Sequence, residues 1–384
     1  MKKTHIGCMI QINPYQVIQG VFMIWFIMFL GAIIATILGI FYLVNSIAKF
    51  KYIKNRLMAF FIVLITFVFF FITLEWINAL TITIYTTLFF MIFGAIMKIL
   101  KKRFNIPENI HWQGWLAIAA SLLYLGAGYY LCVTVVEKDY SLSTDKSIPP
   151  LKIALIADSH IGTTFDGDGF AKHIKTIQAT NPDLLLIAGD FVDDNSKRAD
   201  MEIACKALGQ LNLKYGVFYC YGNHDEGYFN HRDFTAEDLE KSLLKNGIKI
   251  LADEYTLIND SFYVVGRLDK NISGSFRKSI DELLNEVDSN KYIIVMDHEP
   301  NDYDAEANSI SDLVVSGHTH GGQMIPIRYI GELVGANDAT YGYEKINATD
   351  FIVTSGISDW ALKFKTGTRS EYVIININPN IKED

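Results

Sequence analysis

Long apolar stretches before residue 140 most constrain how this chain can fold. Residues 21–44 contain no charged residue. The stretch exceeds the roughly 7 to 15 residues of a typical signal-peptide core, so we interpret it as a retained membrane span. Further apolar stretches follow, each long enough to cross a hydrocarbon core of roughly 30 Å. We therefore expect a transmembrane anchor over residues 1–136, with spans at residues 20–46, 57–75, 79–98 and 115–136.

Charged residues occur only at the ends of these predicted spans. Glu75 and Lys98 both lie at span boundaries. Transporters and proton pathways usually need ionisable groups within the membrane, where such groups are costly and functional. The pattern therefore favours an anchor over a transporter.

Basic residues in two short loops predict the orientation of the anchor. The loop between the first two spans and the loop between the last two spans contain Lys49, Lys51, Lys54 and Arg56, and Lys101, Lys102 and Arg103. Lys and Arg are enriched in cytoplasmic loops, so both loops are predicted to be cytoplasmic. Everything after residue 137 then lies outside the cytoplasm, provided that the tight turn at residues 75–78 separates two crossings.

Charge is distributed unevenly along the 384 residues. The net charge of −8 divides into +7 for residues 1–140 and −15 for the remainder. Nucleic-acid binding needs clustered Lys and Arg, so an acidic second half argues against such a partner. The four cysteines lack the close spacing of a zinc ribbon or a disulfide framework, and we expect free thiols.

A change in composition separates the anchor from a second domain. Residues 137–150 are polar and end in two prolines, which predicts a linker. From residue 151 to 384, apolar runs of strand length alternate with segments of helical period, as in an α/β fold. We expect two packed sheets flanked by helices. Strands are predicted near residues 151–157, 183–189, 216–222, 248–251, 262–266, 292–296, 312–316, 351–354 and 371–377, and helices near 168–180, 198–211, 235–246 and 276–287.

Polar side chains follow five of the predicted strands at the point where each strand ends. They are Asp158 and His160, then Asp190, then Asn223, His224 and Asp225, then His298, and finally His318 and His320. Ligands of α/β folds bind outside the carboxyl ends of the strands, so these side chains should converge on one crevice. Five of the nine histidines of the chain lie at these positions. Asp193 and Asp194 are as compatible with helix caps as with the site.

This set of side chains suits a pair of divalent metal ions. Manganese, iron and zinc accept mixed carboxylate, amide and imidazole ligands without cysteine. Ions roughly 3.5 to 4 Å apart can share a carboxylate and a bridging hydroxide that attacks phosphorus. Asp190, central in the set, is the expected bridge. His224 is the candidate to act on the leaving oxygen, since its neighbour Asn223 would be occupied by metal.

The motifs DSH, GDFVDD, GNHD, the isolated His298 and GHTH resemble the five ordered blocks of the calcineurin-like metallophosphoesterases. GHTHGGQ and HEPND are similar to the bacterial membrane-associated branch, which includes phosphodiesterases acting outside the cytoplasm and hydrolases of UDP-diacylglucosamine. The resemblance covers about residues 150–384. It implies a two-sheet αββα sandwich.

The resemblance also implies a role for each site residue. Asp158, His160, Asp190 and His320 would hold one metal, and Asp190, Asn223, His298 and His318 the other. His224 would protonate the leaving group or stabilise its developing charge, and Asp225 would orient His224. Manganese is the expected ion, with iron or zinc as alternatives. The chain departs from many relatives at residues 363–371, which lack proline, so the substrate of a relative should not be transferred.

Two functions are compatible with these observations. The leading hypothesis is a membrane-anchored two-metal phosphoesterase that hydrolyses a phosphodiester or pyrophosphate bond, with a lipid-linked or envelope substrate as a further hypothesis. The alternative is a membrane transporter or sensor whose C-terminal domain binds metal or phosphate in a regulatory role without turnover.

Overall fold

The computed structural model describes residues 14–107, 111–228, 232–270 and 276–380, with side chains from Ile27 onward. The chain divides into two compact units, Met1–Leu125 and Gly126–Asp384. Three helices carry the apolar sequence: α1 at Pro14–Ile47, α2 at Arg56–Phe104 and α3 at Trp112–Val133. Each contains a stretch that is long and apolar enough to cross a membrane.

The structure has three apolar helices where four were expected, because the second and third predicted spans both lie in α2. Glu75 interrupts this helix with φ 70° and ψ 166°. Val63 and Phe90, on either side of Glu75, belong to the same buried cluster as Leu43 of α1. In a straight helix those two α2 residues would be about 40 Å apart. The helix therefore folds back at Glu75, and its two arms pack on α1.

The second unit begins within α3 and continues directly into a sheet. Strand β1 spans Val136–Thr144 and pairs in parallel with the last strand of the chain. The prediction of an irregular linker is therefore wrong for most of residues 137–150. Only one β1 residue is buried, so the strand lacks the apolar run by which the other strands were predicted. Such a polar composition is typical of an edge strand, which has one open side.

The remaining elements of the second unit alternate between strands and helices. In chain order they are β2 Leu151–Ile156, α4 Gly167–Ala179, β3 Leu184–Ala188, α5 Arg198–Gly209, β4 Gly216–Cys220, α6 Ala236–Lys245, β5 Lys249–Ile250, β6 Glu254–Ile258, β7 Phe262–Gly266, α7 Ile280–Leu284, β8 Tyr292–Met296, α8 Tyr303–Ala307, β9 Leu313–Ser316, α9 Ile330–Leu333, β10 Gly342–Ile346, β11 Thr349–Val353 and β12 Glu371–Pro379.

These strands form two six-stranded sheets. The order in the first is β1-β12-β2-β3-β4-β5, and in the second it is β10-β11-β9-β8-β7-β6. Strands β2 to β5 are parallel to one another, as are β7, β8, β9 and β11. All nine predicted strands are present, and the predicted two-sheet αββα sandwich is confirmed. Strands β6 and β10 were not predicted because most of their residues are partly or fully exposed.

Alternating side chains of each strand build separate apolar layers. Ile153 and Leu155 of β2 face the second sheet and join a cluster that includes Ile294 of β8. Their neighbours Ala154 and Ile156 point the other way and pack under α4, α5 and α6. A third cluster lies between the outer face of the second sheet and α7 and α8. Strands buried on both faces explain the continuous apolar runs of the sequence.

Local sequence signals fix where the covering helices begin. The side chain of Asp166 accepts a hydrogen bond from the backbone of Gly169 and caps α4. Thr235 and Asp238 form a reciprocal capping box at the start of α6. Such caps satisfy backbone donors that have no partner within the helix. Because α4 and α6 cover the same sheet, the caps help to hold the ends of β2, β3 and β4 in place.

Candidate metal centre

Five strands from both sheets end at the same edge of the sandwich. The loops after β2, β3 and β4 in the first sheet, and after β8 and β9 in the second, carry the residues selected from the sequence. The structure brings all seven predicted metal ligands to this edge. They are Asp158, His160, Asp190, Asn223, His298, His318 and His320.

One group of potential metal ligands consists of Asp158, His160 and His320. Their ligand atoms all lie within 4.8 Å of one another, and the three residues are buried. Among the described residues, neither ring nitrogen of His160 has a hydrogen-bond partner. Buried polar atoms without a partner are unfavourable unless something else occupies the position. A divalent cation bound by this group would resolve the deficit.

A second group consists of Asp190, His298 and His318, whose ligand atoms also lie within 4.8 Å of one another. The Oδ1 atom of Asn223 joins them, at 3.2 Å from Nε2 of His298 and 3.0 Å from Nδ1 of His318. A carboxylate, an amide oxygen and two imidazoles form a donor set suited to a borderline divalent ion.

Asp190 lies between the two groups. Its Oδ2 is 3.1 Å from Nε2 of His298 and 3.6 Å from Nε2 of His160. One carboxylate therefore faces a histidine of each group. This is the position from which a carboxylate can serve two ions at once.

Hydrogen bonds prepare the imidazoles for metal binding. Nδ1 of His298 lies 2.8 Å from the carbonyl oxygen of Ala188, to which it donates. Once a metal replaced its proton, Nε2 would present a lone pair on the side of Asp190 and Asn223. Metal-bound histidines commonly use the second nitrogen in this way, which fixes both the tautomer and the ring orientation. The residues present thus fit a pair of divalent ions.

Five of the candidate ligands have a left-handed backbone conformation. The φ angles are 52° for Asp158, 35° for His160, 52° for Asp190, 68° for His318 and 49° for His320. This conformation is uncommon for residues other than glycine and persists where the surrounding structure enforces it. Its recurrence at the ends of three strands indicates that the fold stores local strain to aim these side chains inward.

Glycines allow the loops to approach one another closely. A Cβ atom at Gly222 would lie 2.3 Å from Oδ1 of Asp190, and one at Gly317 would lie 2.5 Å from Oδ2 of Asp158. Any larger residue would displace the carboxylates. The glycines of the GNHD and GHTH motifs are therefore required by packing around the ligands.

The structure places Asp225 away from the ring of His224. Its buried carboxylate accepts hydrogen bonds from four backbone N–H groups, those of Asp190, Phe191, Val192 and Gly222. It therefore ties the loop after β3 to the loop after β4. The carboxylate beside His224 is instead that of Asp193, with Oδ1 at 3.1 Å from Nδ1. The expectation that Asp225 orients His224 is corrected accordingly.

The surroundings of His224 favour its protonated form. Burial lowers the pKa of this imidazole, but Asp190 and Asp193 outweigh burial and raise the pKa above its ordinary value. Burial dominates at His160 and lowers its pKa to about 3, so that ring is neutral, as a metal ligand must be. The pKa values of the two histidines, whose ring centroids are 5.0 Å apart, are thus shifted in opposite directions.

Asp190 and His298 form a buried charged pair. Burial alone would raise the pKa of Asp190, yet the imidazoles of His298 and His224 hold it well below its ordinary value. Burial alone would lower the pKa of His298, and Asp190 raises it well above the usual range. A cation bound between them would take the place of the proton on His298.

Two buried residues that the sequence did not reveal support His320. Oδ1 of Asp359 lies 3.3 Å from Nδ1 of His320 and 3.3 Å from Nζ of Lys365. Both Asp359 and Lys365 are fully buried. The carboxylate faces Nδ1 of the imidazole, whose Nε2 lies 3.7 Å from Oδ1 of Asp158, and the ammonium balances the carboxylate charge. They lie between β11 and β12, where no strand periodicity pointed to the site.

Aromatic residues surround the catalytic candidate His224. The ring centroids of Tyr228 and Trp360 lie 5.0 Å and 5.5 Å from its ring. The hydroxyl of Tyr228 also accepts a 2.6 Å hydrogen bond from Nδ2 of Asn223, which turns Oδ1 of that amide toward His298 and His318. Tyr228 lies four residues after His224. Its closeness in sequence to the GNHD motif was the only feature from which its place in the site could have been predicted.

Comparisons with known proteins identify relatives of this chain. The profile of the calcineurin-like phosphoesterase family matches residues 151–322. An uncharacterized metallophosphoesterase of Aquifex aeolicus is 30% identical over 250 residues, which cover 63% of this chain and 91% of that protein. One from Campylobacter jejuni is 26% identical over 322 residues, covering 81% and 79%. A Danio rerio protein, called transmembrane protein with metallophosphoesterase domain, is 25% identical over 240 residues, covering 59% and 53%.

The matched region contains strands β2 to β9 and all seven candidate ligands. Members of the matched family are metal-dependent phosphoester hydrolases with a dinuclear divalent metal site. The apolar helices and the transmembrane relatives indicate a membrane protein. The chain belongs to the calcineurin-like metallophosphoesterases.

Proposed function

We propose that this protein is a two-metal phosphoesterase that cleaves a phosphodiester or pyrophosphate bond at the outer face of a membrane. The observation that carries the proposal is the position of Asp190, whose Oδ2 lies between His298 and His160 at 3.1 Å and 3.6 Å. Asp190 faces a histidine from each of two ligand groups.

The side chains divide the work of hydrolysis. When bound, two divalent ions supply an activated water for attack on phosphorus and stabilise charge on the phosphoryl oxygens. The ions would be held in fixed positions by Asp190, Asn223 and the surrounding histidines. His224 donates its proton to the leaving oxygen as the P–O bond breaks, which yields an alcohol and a phosphomonoester. Asp193 keeps the ring of His224 in place and charged.

The neighbours of His224 support a bulky leaving group. Tyr228 and Trp360 border the ring that faces the leaving oxygen. Aromatic faces provide a large apolar contact area and would stabilise an apolar or aromatic group on that side. The preference for a diester or pyrophosphate over a monoester also rests on the resemblance of GHTHGGQ and HEPND to the membrane-associated branch.

The anchor supports an extracytoplasmic location for the catalytic unit and a multi-pass topology. The 49 residues of α2 would extend about 74 Å as one rod, more than twice the hydrocarbon thickness. Because α2 folds back at Glu75, its two ends lie on the same side. The basic residues at 49–56 and 101–103 then share the cytoplasmic side, and α3 leads outward. A compartment reporter fused after residue 384 tests this topology, and cytoplasmic reporter activity would reject it.

Hydrolysis by the purified full chain tests the catalytic proposal. The protein in detergent is stripped with a chelator, reloaded with manganese, iron or zinc, and offered aryl phosphodiesters, phosphomonoesters, nucleotide sugars and phospholipids. We expect metal-dependent cleavage of at least one diester or pyrophosphate. Hydrolysis of monoesters alone would reject the bond preference, and hydrolysis insensitive to the chelator would reject the metal mechanism.

A further inference from the structure

Residues 325–334, here called the 325–334 segment, expose an unusual density of large apolar side chains directly after the metal-ligand loop. Six of its ten residues are large, apolar and exposed: Ile325, Ile327, Tyr329, Ile330, Leu333 and Val334. Leu333 and Val334 are 82% and 68% exposed. Exposed residues such as Leu244 and Leu257 occur singly elsewhere in the second unit. A contiguous apolar patch usually marks an interaction site.

The segment is tied to the end of the membrane helix α3. The backbone N–H of Ile325 donates to Oγ1 of Thr366 at 3.0 Å. Thr366 packs against Gly128 of α3, where an added Cβ would lie 3.0 Å from its Cγ2. The next contact along the loop, from the N–H of Lys365 to the carbonyl of Gly128, is 2.9 Å. Thr366 therefore links Ile325 to Gly128 of the apolar helix α3.

These contacts locate the segment at the depth of the membrane surface. Gly128 precedes the last residue of α3, Val133, by five positions, or about 7 Å along the helix axis. Tyr129 and Tyr130 are exposed on the same stretch of α3. Tyrosines are enriched where a protein crosses the boundary between hydrocarbon and water. A loop that packs on Gly128 is thus held beside this boundary.

The composition of the segment fits the same position. Tyr329 is exposed, and the Arg328 guanidinium lies 5.1 Å from the centroid of its ring. Arginine and tyrosine side chains combine an apolar body with a polar end and favour the headgroup region. Glu332 is exposed beside them and would remain in water. Short apolar segments of this kind bind by inserting a few side chains below the headgroups.

We propose that the 325–334 segment inserts into the lipid surface beside α3 and so opens the metal centre directly to a lipid-borne phosphoester. Only Gly321 to Met324 separate the segment from His320, a predicted ligand. A substrate held by its apolar chain among Leu333 and its neighbours would thus have its phosphate near the ligand loop. The delivery part of this proposal rests on the hydrolytic function proposed above, whereas the insertion does not.

Depth-dependent fluorescence quenching tests the insertion without any need for catalysis. A fluorophore is attached to Leu333→Cys in full-length protein that carries Cys8→Ser, since the described free cysteines, Cys132, Cys205 and Cys220, are buried. The protein is reconstituted in phosphatidylcholine and phosphatidylglycerol vesicles containing spin-labelled acyl chains. The matched control is Leu244→Cys, at an apolar position of α6 that is 55% exposed. We expect strong quenching at position 333 and none at 244.

Equal emission at the two positions, with no quenching at 333, would overturn the insertion. The fluorophore at position 333 could instead be shielded from water in a manner that depends on protein concentration in detergent, without quenching by spin-labelled lipid. That result would mean that a second copy of the chain covers the segment, and it would also overturn the insertion. If the wild type cleaves neither probe described below nor any diester or pyrophosphate of the screen above, the catalytic proposal fails, while the quenching result still decides the insertion.

Hydrolysis of two related probes tests delivery. Leu333→Gln/Val334→Gln is compared with Leu244→Gln on hexadecyl para-nitrophenyl phosphate in vesicles and on soluble bis-para-nitrophenyl phosphate. We expect the double variant to cleave the vesicle-borne probe about tenfold more slowly and the soluble probe at the wild-type rate. The control should match the wild type on both. An equal loss on both probes, or no loss on either, would overturn delivery through this segment.

Discussion

Nδ1 of His320 lies 3.3 Å from Oδ1 of Asp359, a fully buried carboxylate contributed by the loop after β11. The contact links a candidate metal ligand to the ion pair of Asp359 with Lys365. A negative charge in this position favours the orientation in which Nδ1 faces Asp359 and Nε2 faces Asp158. The cluster around the metal centre therefore extends beyond the seven residues that face it.

Asp359→Asn should weaken metal binding while leaving the fold in place. The substitution removes the negative charge that faces Nδ1 of His320, and loss of such an outer partner reduces metal affinity by about 10- to 100-fold. Titration of chelator-treated protein with manganese, followed by hydrolysis, measures the effect. High metal concentration should restore the rate. Asp168→Asn, at an exposed position of α4, is the matched control, and equal metal affinity in both variants would contradict the role assigned to Asp359.

His224→Gln should slow hydrolysis in a manner that depends on the leaving group. A general acid matters most when the departing oxygen is strongly basic, and its loss typically reduces the rate by about 10²- to 10⁴-fold. The loss should be large for an alkyl leaving group and small for nitrophenolate. His173→Gln, in the distant helix α4, should behave as wild type. An equal loss with both leaving groups would indicate that His224 acts in some other way.

Asp225 and Asp193 should give different phenotypes, because they contact different partners. Asp225→Asn replaces an acceptor of four backbone N–H groups with an amide and should destabilise the two loops by about 1 to 3 kcal/mol. Asp193→Asn removes the charge beside His224 and should reduce kcat with little change in stability. Thermal unfolding and kinetics of both variants separate these effects. A leaving-group dependence in Asp225→Asn but not in Asp193→Asn would reverse the assignment.

Glu306 should make the protein less stable as the pH rises. Burial, followed by the nearby Asp297, raises the pKa of Glu306 well above its ordinary 4.5, so the folded state retains a proton that the unfolded state releases. Above about pH 4.5 this difference in bound protons lowers the free energy of unfolding as pH increases. Glu306→Gln cannot titrate but can keep the 2.8 Å contact with Nη1 of Arg267.

The variant should therefore gain stability relative to the wild type between about pH 5 and pH 8. Apparent midpoints of thermal unfolding in detergent, measured across this range, give the difference directly. Glu240→Gln, at an exposed position of α6, is the control for a general change in charge. A difference between the wild type and Glu306→Gln that does not change with pH would contradict the raised pKa.

The sequence predicted the site better than it predicted the edges of the fold. Strands such as β3, buried on both faces, leave continuous apolar runs, and polar residues at their ends are therefore conspicuous. Strand β1 pairs only on one side and is mostly exposed, so it resembled a linker. The turn expected at residues 75–78 contains neither glycine nor proline, yet α2 folds back there, at Glu75.

Roles that depend on contacts between distant loops could not be read from the chain. Asp225 and Asp193 both follow strands closely, and sequence proximity favoured Asp225 as the partner of His224. Backbone N–H groups of the loop after β3 donate hydrogen bonds to the carboxylate of Asp225. The carboxylate that faces the imidazole of His224 is therefore that of Asp193. Asp359 and Lys365 are separated from His320 by some forty residues of irregular chain and two strands, so only the folded structure brings them together.

The most direct test of a two-metal centre is the metal content and hydrolysis rate of wild type and Asp190→Asn, measured on the same full-length preparations. Asp190 faces histidines of both ligand groups, so its replacement should affect both ions. We predict two manganese ions per wild-type chain, at most one in the variant, and loss of hydrolysis that added manganese does not restore. Wild-type hydrolysis by Asp190→Asn, or full activity of the wild type with a single bound ion, would contradict the account.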